Sequence, residues 1–396
     1  MAVEQSTSEA PAKAALWRRP VFRSTVFQVL LILAVVYVGN TLFNNTLHNL
    51  EQRGISTGFG FLDNEAGFGI VQSLIDYKET DTFGRTFLVG LVNTILVSFL
   101  GILLATLIGF MMGVARLSKN WLIAKLAMVY IETFRNIPLL LQIMFWYFIV
   151  LNKLPGPRQS HEFAGTVFLN KRGLYLPAPV FESGFWLVSV AIVVAIVVVF
   201  FMVRWAHARQ DRTGEQFHSI YYSLAILLGI PLLVFLAVGA PLSWELPALR
   251  GFNFSGGLVV IPELAALLLA LSIYTAAFIA EAVRSGILAV SHGQTEAAYA
   301  LGLRPGVTLR LVIIPQALRV IIPQLTSQYL NLTKNSSLAT AVGYPDLVAV
   351  FAGTTLNQTG QAVEVIAMTM AVYLTLSLSI SMFMNWYNKK KQLVER

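Results

Sequence analysis

The sequence contains no cysteine and few charged residues, and both features restrict the class of protein. Without cysteine there is no disulfide framework, no Cys-ligated zinc site and no thiol chemistry. Charged residues make up 12% of the chain, whereas soluble globular proteins have about 25%. Hydrophobic residues make up 56% of the 396 positions. A chain of this composition lacks the polar surface needed in water, so we predict that it folds in a lipid bilayer.

Motifs for common catalytic and nucleotide sites are also missing. No Gly-Lys dipeptide occurs, which excludes the usual phosphate-binding loop. No His-Glu-x-x-His site, Ser-His-Asp set or carboxylate pair is indicated, and the five histidines lie apart in the sequence. We therefore predict that the chain is not an enzyme and holds neither a cofactor nor a metal. The net charge of +8 does not indicate nucleic-acid binding, because Lys and Arg form short clusters between apolar runs.

Long apolar runs dominate what the sequence does contain. A helix needs roughly 20 mostly apolar residues to cross about 30 Å of hydrocarbon. We predict eight spans, at about 25–44, 86–114, 121–151, 184–204, 218–240, 262–288, 310–334 and 362–387. The first is interpreted as a retained anchor, because a polar tail precedes it and no small-x-small cleavage pattern follows. With the N-terminus in the cytoplasm, the cytoplasmic segments carry twice as many Lys and Arg residues as the outer ones, which predicts cytoplasmic termini.

Small residues recur at every fourth position of the second span. They are Gly101, Ala105, Gly109 and Gly113. Small side chains at this period let a helix backbone approach its neighbour closely. The pattern indicates either a pore or dimer helix or ordinary packing within the bundle, and we favour ordinary packing.

Two pairs of opposite charges lie three residues apart within apolar runs. Glu132 precedes Arg135 and Glu281 precedes Arg284, so each pair can meet on one helix face. Ionisable groups at membrane depth cost at least about 2.5–3.5 kcal/mol and usually face a cavity or a partner. Interfacial pairs at helix ends are the alternative, and the sequence leaves both open. Close to the first pair, Pro138 removes a backbone donor and predicts a break in the helix.

A polar cluster at 331–338 follows the apolar stretch 311–330, and two prolines, Pro315 and Pro323, interrupt that stretch. Broken helices near the midplane are typical of transporter binding sites, because freed backbone groups must contact protein or water. An outside loop is the alternative, and we favour a cavity. We predict that substrate, where it binds this chain, contacts polar groups that can pair with an α-carboxylate or an α-ammonium. They are Asn136, Gln142, Glu281, Arg284, Lys334, Asn335, Ser336 and Ser337.

The segment after the sixth span carries the most specific pattern in the chain. Its fixed positions are Glu296, Ala297, Ala298, Gly302, Val312, Ile314 and Pro315. A short Ala-rich helix at a membrane exit offers a small, stiff surface to a soluble partner, and Gly302 permits a turn behind it. The spacing resembles the permease signature of ABC importers: Glu-Ala-Ala, three residues, Gly, nine residues, then aliphatic-x-aliphatic-Pro. The resemblance implies that Glu296, Ala297, Ala298, Gly302 and Pro315 couple the chain to an ATPase.

Three further segments, 130–142, 274–286 and 334–338, are similar to the polar-amino-acid branch of that family. With the signature they cover roughly 85–151 and 262–390, about half of the chain. Asn136 and Ile137 replace a common Gly-Thr, and Ser285 replaces a frequent Gly, so the details of the substrate stay open.

The resemblance implies an all-α, type I importer permease with additions to its core. The core comprises 86–151 and 262–396, with a cytoplasmic coupling loop at 289–309. Before it lie a cytoplasmic tail, 1–24, and an extra span with its periplasmic loop, 25–85; within it, 152–261 inserts a two-span hairpin. This long architecture is similar to the larger permease subunit of broad-specificity general L-amino-acid importers.

The implied function is ATP-driven import of L-amino acids across a bacterial inner membrane. The implied partners are two ATPase subunits that bind ATP and Mg, a second permease that is a different chain, and a periplasmic amino-acid-binding protein. An ion-coupled secondary transporter of small polar solutes is the alternative function, and a non-transporting membrane scaffold is a third. Membrane Glu and Lys residues suit the secondary transporter, but neither alternative explains the spaced signature.

Overall fold

Helices make up most of the residues described by the computed structural model, which are 20–52, 54 and 57–391. The predicted helical fold class is confirmed. The predicted tail before residue 20 and the last five residues lie outside the described part of the chain. The helices are α1 Pro20–Gln52, α2 Phe83–Arg116, α3 Trp121–Asn136, α4 Leu139–Met144, α5 Phe185–Thr213, α6 Ser219–Ala237, α7 Pro262–Leu288, α8 His292–Ala300, α9 Pro305–Thr308, α10 Ile314–Asn335, α11 Leu356–Thr359 and α12 Ala362–Lys391.

Seven helical segments within the described residues are long and apolar enough to cross a membrane, and they coincide with seven of the eight predicted spans. The remaining predicted span, 121–151, is divided: α3 and the helical segment Leu139–Lys153, which begins with α4, meet at an angle of 105°. Ile137 is extended there, with φ −93° and ψ 126°, and Pro138 precedes the first residue of α4. The break predicted at Pro138 is therefore confirmed, and eight spans result if the bent pair counts as one.

The helices α2, α7 and α10 form the centre of the bundle, and the small residues of α2 make their contacts possible. A Cβ at Gly109 would lie 2.5 Å from Ile279 Cγ2, and one at Gly113 would lie 2.7 Å from the carbonyl oxygen of Ala280. Gly101 faces Leu332 of α10. The small-residue stripe thus packs within its own chain, in accord with the interpretation that we favoured. These contacts show that α2 and α7 run parallel. Helix α10 is antiparallel to both, because Thr106, further along α2 than Gly101, meets Tyr329, which precedes Leu332.

We expect Gly109→Val to destabilise the bundle, because its Cβ has no room beside Ile279. Overpacking of this kind costs about 1–3 kcal/mol. Gly229→Val is the matched control, since Gly229 also lies inside a helix, α6, but an added Cβ there meets nothing within 4 Å. Thermal unfolding of the purified chain in detergent should show a midpoint several degrees lower for Gly109→Val and an unchanged midpoint for Gly229→Val. Equal midpoints for both variants would contradict this account of the core.

The segment between α10 and α12 returns into the bundle. A 3-10 turn, Ser336–Val342, continues α10, and a π-helical segment, Val348–Thr355, leads to α11. Side chains of α2 hold the connection: Asn93 Nδ2 donates to the carbonyl oxygen of Pro345 at 2.8 Å, and Thr94 Oγ1 accepts from the amide of Leu347 at 3.0 Å. The polar cluster 331–338 therefore belongs to packed helical structure rather than to an outside loop.

Eight short strands form a layer, here called the β-cap, over the end of the bundle where α7 begins. They are β1 His161–Phe163, β2 Val167–Asn170, β3 Gly173–Leu176, β4 Ala178–Phe181, β5 Leu242–Glu245, β6 Ala248–Arg250, β7 Asn253–Ser255 and β8 Leu258–Val260. All their pairings are antiparallel: β1-β2-β3-β8 form a sheet, and β4-β5 and β6-β7 form ribbons. Strands were not predicted from the sequence in this region.

The three spans that the sequence predicts as additions to the core, α1, α5 and α6, make few contacts with the other described helices. The apolar window of α1 is not buried against the rest of the described chain. Helices α5 and α6 contact each other, and the small or β-branched residues Val188, Ala191 and Ala195 of α5 are buried. Their exposed faces are apolar, as expected for surfaces that meet lipid or another subunit.

Candidate functional site

The signature segment folds as a short exposed helix that ends in a glycine turn. Helix α8 begins after Ser291, and Glu296 Oε1 lies 3.0 Å from Nδ1 of His292 one turn earlier. Ala298 is buried, whereas Glu296 and Ala297 are exposed. Gly302 has φ +75°, and its amide donates to the carbonyl oxygen of Tyr299, while Leu303 donates to that of Ala298. These two bonds are the Schellman pattern, in which glycine is favoured because its φ is positive.

The chain then returns to the membrane through α9 and a π-helical turn, Leu309–Ile313, and Pro315 lies in the first turn of α10. The helix is continuous here, since the amide of Ile314 donates to the carbonyl oxygen of Leu309, and Pro315 directly follows the π-helical turn, one of the places where helix geometry departs from the regular α pattern. A hydrogen bond of 3.2 Å from Gln316 Nε2 to Gln294 Oε1 connects α10 to α8. This bond is a direct contact between α8 and the start of α10.

Gln142 stabilises the break between α3 and α4. Its Nε2 donates to the carbonyl oxygens of Phe134 at 3.0 Å and Ile137 at 2.9 Å, groups that the interrupted helix leaves without a partner. Asn136 is exposed and donates to the carbonyl oxygen of Glu132. These geometries give Gln142 a structural role at the break, while its Oε1, buried and without a partner among the described residues, remains as an acceptor.

The two predicted charge pairs differ. Arg284 Nη2 lies 2.6 Å from Glu281 Oε1, and both side chains are about one-third exposed. Arg135 forms no ion pair with Glu132 in the described structure; its guanidinium instead lies over the ring of Phe278, 5.2 Å from the centroid. Arg135 is also near enough to Glu281 to interact with it electrostatically.

Lys334 lies in a different place, on the wall of a groove of about 590 Å³ between the end of α10 and α12. Ser337, Thr369 and Tyr373 line the same groove. Ser337 Oγ donates to the carbonyl oxygen of Lys334, and the buried Ser336 Oγ donates to that of Thr333, so both hydroxyls also complete the helix end. The neighbouring Asn335 is half-buried.

Asp346, which the sequence did not single out, lies behind this groove. It is fully buried; its Oδ1 accepts from the amide of Ala349 at 2.8 Å, and its Oδ2 accepts from Tyr373 at 3.3 Å. The carboxylate thus connects the returning segment to α12. In the sequence, Asp346 is marked only by its position before an apolar run. That pattern is too common to predict a buried carboxylate.

Within the part of the chain that the structure describes, the predicted substrate residues do not meet in one pocket. Leu332, two residues before Lys334, packs on Gly101, whereas Ala280, next to Glu281, packs on Gly113. Those two glycines are twelve residues apart on α2, which separates the two groups by about 18 Å along the axis. Lys334 is near the middle of the span and Glu281–Arg284 is near its end. Helix α4, which contains Gln142, packs against Ser336–Val342 and belongs with the Lys334 group.

A bundle of apolar helices, a broken span, a polar groove and an exposed short helix are consistent with a multi-pass membrane transport protein. The profile described as "Binding-protein-dependent transport system inner membrane component" matches residues 214–392. Three relatives match over 95% of this chain. The "Putative amino-acid ABC transporter permease protein YhdX" of Escherichia coli is 58% identical, with 96% of its length covered. The "General L-amino acid transport system permease protein AapQ" of Rhizobium johnstonii is 53% identical, with 94% covered.

The third relative, the "Glutamate/glutamine/aspartate/asparagine transport system permease protein BztB" of Rhodobacter capsulatus, is 45% identical, with 95% of its length covered. A solved structure, "Crystal structure of an amino acid ABC transporter with histidines", is 21% identical with a TM-score of 0.46, covering 78% of this chain and 95% of the other. The chain belongs to the family of amino-acid ABC transporter permeases. Membership favours the ABC permease prediction over the ion-coupled alternative.

Proposed function

We propose that this chain forms one half of the translocation pore of an ATP-driven importer that moves polar L-amino acids, with broad specificity, from periplasm to cytoplasm. The observation that carries the proposal is the exposed surface of α8 and its glycine turn. Tyr299 is 49% exposed and Leu301 is 80% exposed. Apolar side chains presented to water on a short, stiff helix favour coverage by a partner.

The partner at this surface is an ATPase subunit, present as a dimer, which binds ATP and Mg. Glu296, Ala297, Ala298 and Gly302 form the contact, and Pro315 begins the helix that receives the movement. ATP binding and hydrolysis displace α8 and thereby rock one permease half against the other between inward-open and outward-open states. The second half is a different permease chain.

The α8 end of the bundle is cytoplasmic and the β-cap is periplasmic. Helices α2 and α7 run parallel from one end to the other, so α8 and the β-cap lie at opposite ends of the bundle. The excess of Lys and Arg on the α8 side supports this orientation in a bacterial inner membrane, with cytoplasmic termini. A periplasmic amino-acid-binding protein delivers substrate to the β-cap end.

Substrate passes the groove that contains Lys334. The ammonium group of Lys334 is exposed in the groove and suits an α-carboxylate, while Ser337, Thr369 and Tyr373 supply hydroxyls. The names of the relatives, which include general L-amino-acid transport and transport of glutamate, glutamine, aspartate and asparagine, support polar amino acids as the cargo.

Reconstitution tests the energy source. The chain, its ATPase, the second permease and the binding protein are placed together in proteoliposomes, and uptake of labelled L-glutamine is measured. We expect uptake that requires ATP and persists when an ionophore removes ion gradients. Liposomes that contain the chain without the ATPase provide the control. Uptake that follows an ion gradient in the absence of ATP would contradict the proposal and support the secondary transporter.

A further inference from the structure

A cavity of about 470 Å³ lies where the β-cap meets the bundle, well apart from the groove that contains Lys334. Its walls come from the β2–β3 turn, from β7 and β8, from the end of the broken span and from the start of α7. Three charged side chains line it: Lys171, Arg172 and Glu263. The volume is within the usual range for small-molecule sites, about 300–1,000 Å³.

Lys171 and Arg172 are presented by a tightly held turn. They are the two residues between β2 and β3, whose last pair is Asn170 with Gly173. The buried Asn170 accepts from the amide of Arg172 at 2.8 Å through Oδ1 and donates to Ser160 Oγ at 2.9 Å through Nδ2. The amide of Lys171 donates to the carbonyl oxygen of Pro155 at 2.9 Å. These bonds fix the backbone from which both cations extend.

Glycine at 173 brings the turn close to the bundle. Its φ is +137°, and a Cβ there would lie 2.5 Å from the carbonyl oxygen of Val260, the last residue of β8 before α7. Glu263 lies at the start of α7, three residues further on, and its Oε1 accepts from the hydroxyl of Tyr147 at 2.9 Å. The two cations and the carboxylate therefore reach one cavity from neighbouring, hydrogen-bonded supports.

The charged side chains that line this cavity do not form ion pairs with one another in the described structure. Among the described residues, neither Lys171 nor Arg172 forms an ion pair with an acidic side chain, and Glu263 forms none with a basic one. Tyr175, a largely buried residue, also lines the cavity. Burial raises the pKa of Tyr175, and the neighbouring guanidinium of Arg172 offsets part of that rise. A hydroxyl beside the guanidinium of Arg172 can donate a hydrogen bond to a carboxylate ligand.

We propose that this cavity binds a free L-α-amino acid, with its α-carboxylate at Lys171 and Arg172 and its α-ammonium at Glu263. Charge-assisted hydrogen bonds of this kind are roughly twice as strong as neutral ones. With two cations and one carboxylate, the lining carries a formal excess of one positive charge, so amino acids with neutral or acidic side chains bind better than basic ones. The site is formed by the insertion 152–261 together with the core, and it gives that insertion a role in substrate binding.

The choice of an L-amino acid as ligand rests on the proposed import function. The test is designed so that failure of the cavity site can be distinguished from failure of the import function. Binding of radiolabelled L-glutamine to the full chain in lipid nanodiscs is measured without ATP or other subunits. We expect Lys171→Gln/Arg172→Gln to weaken binding at least about tenfold, equivalent to about 1.4 kcal/mol, and Glu263→Gln to do the same. Arg250→Gln, which removes an exposed cation of the β-cap that does not line the cavity, should leave binding unchanged.

A ligand variant checks the assigned orientation. The α-carboxyl methyl ester of L-glutamine should bind the wild-type chain weakly and lose nothing further in Lys171→Gln/Arg172→Gln. Absence of binding by the wild-type chain would overturn the site, and so would binding that survives the double variant but is lost in Lys334→Ala. ATP-driven uptake by the reconstituted complex in either of those cases would leave the import function standing and remove only the β-cap site.

Discussion

Gly302→Asp is expected to abolish amino-acid uptake while membrane insertion and the bundle remain intact. Gly302 has φ +75° and closes the Schellman turn behind α8. An L-residue in this conformation costs about 1–2 kcal/mol, and Asp is among the residues that tolerate it best. The local cost is too small to unfold the protein. Loss of uptake would therefore come from bulk and negative charge placed at the contact with the ATPase.

Gly214→Asp is a closely matched control. Gly214 follows α5, has φ +71°, and an added Cβ there meets nothing within 4 Å, which is also true at Gly302. The two substitutions therefore carry the same backbone strain and the same charge, and they differ only in the surface on which they lie. Uptake, co-purification of the ATPase, and ATP hydrolysis stimulated by the loaded binding protein should fail for Gly302→Asp and persist for Gly214→Asp. Normal ATP-driven uptake by Gly302→Asp would remove the coupling role of α8.

The features predicted well from the sequence depend on a few neighbouring residues. Hydropathy located the spans because about 20 apolar residues are required whatever the helix packs against. Pro138 predicted its break because the missing amide and the restriction on the preceding residue act locally. The positive φ of Gly302 followed from its place just beyond a short helix. In each case the cause lies within one helical turn of the effect.

The features that were not predicted depend on residues far apart in the chain. Asp346 is buried because Tyr373 and the returning backbone surround it, and that backbone is held by Asn93 and Thr94 from α2. The β-cap joins β3 to β8 across more than eighty residues that include two membrane spans. Strands of three or four residues are too short for a period-two pattern to be recognised.

The predicted substrate residues were chosen only because their side chains are polar. That choice included residues which, in the structure, already have partners within the chain. Glu281 and Arg284 satisfy each other near the end of α7, and Gln142 satisfies the carbonyl groups freed at Pro138. Lys334 differs from them, because within the described structure it forms no ion pair and its side chain is exposed to a groove. The sequence identified polar groups at membrane depth, but only the geometry separates those with a partner from those that remain available.

Lys334→Ala is expected to lower uptake at least about tenfold, which corresponds to the loss of one charge-assisted hydrogen bond of about 1.4 kcal/mol or more. Assembly should be retained, because the ammonium group makes no contact on which the fold depends. Uptake is measured in proteoliposomes together with co-purification of the other subunits. Ser327→Ala, at an exposed position of the same helix that lies outside the groove, is the control and should transport normally.

Glu281→Ala is also expected to lower uptake, but for a structural reason that a double variant separates. Removing the carboxylate leaves Arg284 without its partner at membrane depth, which costs up to about 2.5–3.5 kcal/mol at the centre of a span and less towards its end. In Glu281→Ala/Arg284→Ala neither charge remains unpaired, so we expect uptake and stability to recover towards wild type. Uptake lost in Lys334→Ala should not recover when Glu281→Ala or Arg284→Ala is added to it. A double variant that transports worse than both single variants would instead mean that Glu281 and Arg284 contact the amino acid, as their chemistry first suggested.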